Sequence, residues 1–331
     1  MGGFYQIVIK CLLPAVLAAG SLTVGLSTAG AQVMLSRQVT LMGSRFEITL
    51  ADKDSVLAKE HIDQVIAEVT RIEDLISEWR PGTQVSEINR NAGIKPVKVD
   101  REVFDLARRA IAYSEQSQGA FDISIAAMDR LWIFDGGMAE MPSPEAIRKS
   151  VEKVGYRNIV LDSANSTVYL ASKGMKIGFG SIGKGYAADK GRELMQSSGV
   201  QGGIVNASGD LSAWGTQPGR KSWKIGISHP FKPGRILKIF KIKEASAATS
   251  GSYEKYAEID GRRYSHIIDP KTGYPSTGLT SVTVIGPSAE FANALSTSVM
   301  VLGKKEGIQF LKRFPAYEYV IVTDTGKVIK G

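Results

Sequence analysis

Gly180-Ser181-Ile182-Gly183-Lys184-Gly185-Tyr186-Ala187-Ala188-Asp189 is the stretch on which the fold turns. It follows an apolar run, Ala171 to Phe179, that reads as a strand, and it opens a helix running to about Ser198. A glycine-rich turn from strand to helix offers backbone N–H groups and a helix N-terminus, which together suit phosphate oxygens, and Lys184 adds a point charge. The spacing matches neither a Walker A loop nor a dinucleotide GxGxxG, so tight packing of the turn is the competing reading.

On either side of this turn, strands and helices are mixed without strict alternation. That favours an α+β architecture over a doubly wound parallel sheet. Upstream, Met42-Gly43-Ser44 leads into a half-buried strand over Arg45 to Leu50. Ile62, Val65, Ile66, Val69, Ile72 and Ile76 then fall at the three-and-four spacing of an amphipathic helix over Ser55 to Ser77. Pro81 and Gly82 stop that helix and leave Trp79 at a loop mouth. A second helix, Val103 to about Ser117, ends at Gly119, after which Phe121 to Leu131 enters the core. Met141 to Glu145 is a proline-marked loop before a helix to Val154, and Ile159 to Asp162 is a strand. Downstream, Gly203–Asn206, Trp223–Ile227, Leu237–Ile242, Ser281–Ile285 and Tyr319–Thr323 read as strands, closed by a turn at Asp324-Thr325-Gly326.

At 331 residues and 43% hydrophobic content the chain can bury a full core, and no linker divides it. A formal charge of +8 raises the question of nucleic acid, but Lys and Arg are scattered without aromatic interleaving. The excess reads as attraction to anionic ligands or surfaces, with no nucleic-acid partner. Residues 1–31 read as an export signal: Lys10 precedes a mostly apolar run, Cys11 to Val24, and Ala29-Gly30-Ala31 gives a cleavage site before Gln32. Cys11 is the only cysteine, so the mature chain would contain no thiol, which excludes disulfides, thiolate metal sites and cysteine nucleophiles. The expected location is outside the cytoplasm.

Tyr264-Ser-His-Ile-Ile-Asp-Pro-Lys-Thr-Gly-Tyr-Pro275 places His266 and Asp269 three residues apart. Pro270, Gly273 and Pro275 then force the backbone through a turn. Histidine titrates near neutrality and a neighbouring carboxylate can orient it, so the pair is a candidate for acid/base work. The other two histidines read differently: His61 lies at the boundary of a helix, and His229 precedes Pro230 in a turn.

In chain order, Met42-Gly43-Ser44, Ser77-Glu78-Trp79 with Ser86-Glu87-Ile88-Asn89, Gly119-Ala120-Phe121-Asp122-Ile123-Ser124 with Leu131-Trp132, Gly180 to Asp189, Thr249-Ser250-Gly251, His266 to Pro275 and Asn293-Ala294-Leu295-Ser296-Thr297 resemble the ApbE family of FAD:protein FMN transferases. The resemblance covers nearly everything after the first three dozen residues. It implies one α+β unit, residues 32–331, with mixed and antiparallel sheets flanked by helices and two interleaved lobes around a flavin cleft. It also implies that FAD is cleaved and FMN transferred to a threonine or serine hydroxyl of an exported acceptor protein, in the periplasm or at a membrane, with release of AMP.

The same resemblance assigns roles. Met42, Trp79, Asp122, Ser124, Lys184, Ser250, Gly251 and His266 would contact the flavin nucleotide. Lys184 would meet phosphate oxygens, and either His266 or Asp269 would take the proton. The carbonyl of Gly183, with Asn293 and Thr297 four residues apart on a helix, would hold magnesium. Asn293 departs from the aspartate the family carries, as do Gly178 and Ser208 from aspartate and glycine. An amide oxygen is a poorer ligand for a hard cation than a carboxylate. Two readings stand beside the transferase: an FAD pyrophosphatase giving FMN and AMP, and a flavin-binding protein without catalysis. Ala245-Ser246-Ala247-Ala248-Thr249 loosely resembles the motif that the family modifies but leads directly into Ser250-Gly251.

Overall fold

Strand β1 (Val33–Leu41) pairs antiparallel with β2 (Ser44–Asp52), in unbroken register from Val33↔Asp52 to Leu41↔Ser44. The computed structural model describes residues 32–135, 137–138, 140–253 and 255–331, so the expected export signal over 1–31 lies outside the described residues. The two-residue connection is Met42-Gly43, with φ of 50° and 65°, the left-handed pair that matches the twist of a tight hairpin. β1 carries no sequence expectation, because its alternation of Leu, Ser, Arg, Gln, Val and Thr is only half-buried.

The chain continues through α1 (Ser55–Ile76), α2 (Gln84–Arg90), β3 (Val97–Lys98), α3 (Arg101–Gln116), α4 (Pro144–Val151), β4 (Ile159–Asp162) and β5 (Thr167–Leu170). It then runs through α5 (Gly183–Ser197), β6 (Gly202–Ala207), β7 (Asp210–Trp214), β8 (Trp223–Ser228), β9 (Ile236–Ile242), β10 (Ala245–Gly251), β11 (Tyr256–Ile259) and β12 (Arg262–Ser265). β13 (Leu279–Gly286), α6 (Ala289–Leu311), β14 (Glu318–Thr323) and β15 (Val328–Lys330) close it. The main sheet has eight strands in the order β1-β2-β6-β7-β10-β13-β14-β15, and every pairing in it is antiparallel. A three-stranded sheet β3-β5-β4 belongs to a second lobe, and β11-β12 and β8-β9 are separate hairpins.

Side chains alternating along the strands give the main sheet two buried faces. Phe46, Ile48, Leu50 and Val205 pack with α1 and α5, while Val282, Val284 and Ile321 pack with Leu295 and Val299 of α6. On the opposite face Ile204, Leu211, Ala213 and Ile285 meet Trp223 and Ile225 of the β8-β9 hairpin. The α+β reading with antiparallel sheets is thus borne out, as helices cover one face and a hairpin the other. One hydrophobic cluster runs from β2 and α1 into Val97, Phe104, Ile159 and Val168 of the second lobe. The two lobes therefore share a core.

The strand expected over Ala171 to Phe179 is not one. β5 ends at Leu170, and the chain then makes a turn in which Gly174 has φ of +81° and the Met175 N–H donates to the Ser172 carbonyl at 3.2 Å. Ile177 has no strand neighbour. The Asn89 side chain accepts from its N–H at 2.8 Å and donates to its carbonyl at 2.9 Å. A single carboxamide thus does what a strand neighbour would do, and the apolar residues Met175, Ile177 and Phe179 are buried all the same.

Candidate active site

α5 begins at Gly183 without a side-chain cap, whereas α1, α2, α4 and α6 are capped by Asp54, Thr83, Ser143 and Ser288. Its first turn also holds no acidic residue, so the positive end of the helix meets no counter-charge of its own. The glycines are there for contact. A Cβ on Gly185 would stand 2.6 Å from the Ala289 carbonyl oxygen, so α5 and α6 meet backbone to backbone. A Cβ on Gly183 would lie 3.1 Å from Ile76 and 3.4 Å from the Met42 methyl, which brings the β1-β2 turn to the same place. Met42 is a non-glycine residue in the left-handed region, pinned there by its N–H donating to Glu73 at 2.9 Å.

From the first turn of α5, Lys184 Nζ reaches Asp210 at 2.9 Å. Asp210 is buried at the start of β7, and it also accepts from Asn293 Nδ2 at 2.6 Å. Burial pushes its carboxyl up, while Lys184 and Asn293 pull it down. Because Asn293 turns its amide nitrogen to Asp210, its Oδ1 faces Thr297, whose hydroxyl donates to it at 3.3 Å. Thr297 in turn lies 3.3 Å from the Ser250 hydroxyl, which is 2.8 Å from Ser296. Lys184 of α5, Asn293 and Thr297 of α6, and Ser250 of β10 thus form one hydrogen-bonded chain through Asp210.

α6 is placed by Asp189, the last residue of the glycine-rich stretch. Its carboxylate accepts from the N–H groups of Ala289 and Glu290 at 3.0 and 3.1 Å, and from Ser288 and Ser212 at 2.8 Å each. A carboxylate at a helix N-terminus satisfies otherwise orphaned donors. Neither Asp189 nor Asp210 was given a role from the sequence, since a lone acidic residue leaves no periodic trace.

The His266 stretch folds as expected into a tight loop. Asp269 N–H donates to the Tyr274 carbonyl at 2.9 Å, Gly273 takes φ of +74°, and Trp132 Nε1 donates to the Gly273 carbonyl at 3.0 Å. Its pairing does not follow the sequence reading, however. Asp269 does not orient His266: its two oxygens accept from Lys271 N–H at 2.9 Å and from Thr272 Oγ1 at 3.1 Å, closing its own turn. His266 is instead held by the Lys255 carbonyl, 3.1 Å from Nδ1. Only a protonated Nδ1 can bond a carbonyl, so Nε2 carries the lone pair. Burial lowers the imidazole pKa to about 4, against the Lys255 carbonyl and with help from the charges of Lys255 and Lys184. His266 and Lys184 are therefore within electrostatic reach of one another.

The remaining expected residues divide in two. Trp79 stands 71% exposed with the Arg130 guanidinium 4.9 Å over its ring, and Gly251 lies under the Tyr253 ring, 2.7 Å from the place of a Cβ. Asp122 and Ser124 are buried and turned inward. Asp122 accepts from the Ser124 N–H at 2.8 Å, the Ser124 hydroxyl at 2.6 Å and the Tyr156 N–H at 2.8 Å. They brace the segment beneath Gly178, whose N–H donates to the Ile123 carbonyl at 3.0 Å. Ala245 to Thr249 lies within β10 in the middle of the main sheet, with Ser246 fully buried. His61 bonds Asp52 at 2.6 Å, and His229 accepts from the Phe231 N–H in a turn.

Among the described residues no group of three or more His, Cys, Asp and Glu side chains is set to hold a metal. Asn293 Oδ1 and Thr297 Oγ1 form a small neutral oxygen set one helical turn apart, with the Asp210 charge directly behind it. That donor chemistry fits a hard cation that keeps most of its water. A separate groove of about 850 Å³ between α4 and Lys271–Tyr274 is lined by neither His266, Lys184, Asn293 nor Thr297.

Residues 42–321 match the ApbE family. The FAD:protein FMN transferase of Treponema pallidum (strain Nichols) is 32% identical over 276 residues, 79% of this chain and 76% of that protein. One from Klebsiella pneumoniae (strain 342) is 32% identical over 296 residues, 89% of this chain and 90% of that one. Among solved structures, the ApbE protein of Thermotoga maritima superposes with a TM-score of 0.83 at 31% identity, covering 90% of this chain and 97% of its own. The apo form of the Pseudomonas stutzeri flavinyl transferase ApbE gives 0.78 at 29% identity, covering 91% and 94%. The resemblance read from the motifs thus holds for sequence and for fold alike, and this chain belongs to the ApbE family.

Proposed function

We propose that this chain is an FAD:protein FMN transferase that moves FMN from FAD to a threonine or serine hydroxyl of an exported acceptor protein. The observation that carries this reading is the 3.1 Å contact of His266 Nδ1 with the Lys255 carbonyl, which favours the tautomer with the proton on Nδ1 and the lone pair on Nε2, the base of the site. Nε2 takes the proton of the incoming hydroxyl. The hydroxyl oxygen forms a bond to the phosphorus of the FMN half, the bridging P–O bond of the pyrophosphate breaks, and AMP leaves. Lys184 and the uncapped start of α5 bind the phosphate oxygens and offset the charge that builds on them. Met42 and Trp79 hold the isoalloxazine, and Asp269 keeps the His266 loop in shape through Lys271 and Thr272.

Magnesium would be held by the Gly183 carbonyl, Asn293 Oδ1 and Thr297 Oγ1. When bound, it would neutralise pyrophosphate charge. The same reading places the mature chain, from Gln32, in the periplasm with an acceptor at the membrane surface. The test is to incubate residues 32–331 with FAD, magnesium and a threonine-bearing acceptor. Flavin fluorescence should stay on the acceptor through denaturing electrophoresis, with AMP released in equal amount and both lost in His266→Ala. AMP produced at full rate without any acceptor would replace this reading by FAD hydrolysis.

A further inference from the structure

Glu78 and Gly178 occupy each other's space. A Cβ built on Gly178 would lie 1.5 Å from Glu78 Oε2 and 2.4 Å from Cδ, the tightest such overlap at any described glycine. No side chain fits at 178 while Glu78 stands where it does. Gly178 has ordinary φ, so a left-handed backbone does not explain the glycine; the carboxyl above it does. The Glu78 carboxyl makes no hydrogen bond to any described residue, although its backbone carbonyl accepts from Ser86 Oγ at 3.4 Å. Burial pushes this carboxyl up to about 7, with only the charge of Lys176 acting against it. The carboxyl is only partly buried, so in the absence of a ligand water can reach it, and a ligand hydroxyl could take the place of that water.

Its position says which ligand. Glu78 precedes Trp79, and Gly178 precedes the Gly180–Gly183 turn into α5. On the proposed function, Trp79 meets the isoalloxazine and the start of α5 meets the phosphates. Between ring and phosphate a flavin nucleotide carries the ribityl chain, whose hydroxyls are hydrogen-bond donors. We propose that Glu78 is a flavin-nucleotide binding residue whose carboxyl, standing over Gly178, accepts a hydrogen bond from a ribityl hydroxyl. The glycine leaves room for this carboxyl to come in from the facing loop, and an aspartate at 178 would set its own carboxyl at nearly the same point and turn the flexible Glu78 side chain aside.

The inference rests on the proposed function, and it is tested by equilibrium FAD binding, which does not depend on transfer. Fluorescence titration of Glu78→Ala should raise the Kd for FAD about fivefold to tenfold, the value of one lost hydrogen bond. Gly178→Asp should also weaken FAD, because two carboxyls then compete for one place and repel each other. The double variant Glu78→Ala/Gly178→Asp should return to within about threefold of the parent, far from the sum of two independent losses. Melting curves of all four proteins separate lost binding from lost fold. An unchanged Kd in Glu78→Ala, or a folded double variant as weak as the two losses combined, overturns the proposal. Normal FAD binding without flavin transfer would overturn the proposed function and leave Glu78 standing, and absence of FAD binding in the parent would overturn both.

Discussion

His266 shows how one side chain is tuned by what surrounds it. Its pKa of about 4, set first by burial, makes neutral imidazole the resting form at pH 7. A rate that depends on proton transfer to Nε2 should therefore keep its acid limb near pH 4, and not near the ordinary value of about 6.5. The kcat/KM profile for flavin transfer measures this directly, and a limb above pH 6 would assign the base to another group. Stability follows the same sign. The unfolded chain takes up this proton at about pH 6.5 and the native chain only near 4, so the contribution is whole above 6.5 and is lost as pH falls through that window. Urea unfolding of His266→Gln should show a flatter loss between pH 7 and 4.5 than the parent. The turn around His266 was legible because proline and glycine write their geometry into the sequence. What orients the ring was not, because the Lys255 carbonyl is a backbone group that any residue would supply. Asp269, three residues away, is drawn instead to the nearer donors of its own turn.

At the scale of elements, the site depends on where α6 meets β7. Asn293 is the departure from the family's aspartate, and its Nδ2 donates to Asp210 at 2.6 Å. Asn293→Asp would replace that donor by a second carboxylate against a buried one, the two sharing the ammonium of Lys184 that pairs with Asp210 at 2.9 Å. Without metal the variant should melt lower, by a few degrees for about 1 kcal/mol in a chain of this size. With magnesium it should recover more than the parent gains, and transfer should saturate at lower magnesium, since a hard cation favours carboxylate over amide. Thermal melts across a magnesium titration check both effects, and identical shifts in parent and variant would remove Asn293 from the proposed cation site. The long amphipathic elements, α1 and α3, were legible from apolar spacing. β7 and β10 were not: Asp210–Trp214 is five residues long and wholly buried, and Ala245–Gly251 is built of small and hydroxyl residues. Ala171 to Phe179 failed the opposite way: apolar residues were present, but Asn89 took the place of the strand neighbour.

Across the whole molecule, the second lobe is tied to the site by a line of polar contacts that crosses four helices. Arg71 of α1 bonds Glu102 of α3 at 2.8 Å, and Glu102 accepts from Tyr186 of α5 at 2.6 Å. The Arg109 guanidinium of α3 lies 5.4 Å over the Tyr186 ring and pairs with both oxygens of Glu290 at 2.8 and 2.9 Å. Glu290 sits in the first turn of α6, is 5% exposed, and also accepts from Tyr113 at 2.9 Å. Its own N–H is held by Asp189, so the pair fixes the end of the helix that carries Asn293 and Thr297. Arg109→Met would keep the aliphatic length and leave the Glu290 carboxylate buried without its cation. Breaking a buried pair in this way costs about 3 kcal/mol, more than the pair contributes over an apolar replacement. Arg109→Met/Glu290→Gln removes the stranded charge, so the double variant should be more stable than Arg109→Met alone. If the lobes are coupled through this contact, Arg109→Met should also weaken FAD, by loosening the end of α6 that Glu290 holds. A double-mutant cycle in urea, read beside FAD titration of the same four proteins, measures both. Additive losses in stability with unchanged FAD affinity would mean that the second lobe is held by its apolar core alone.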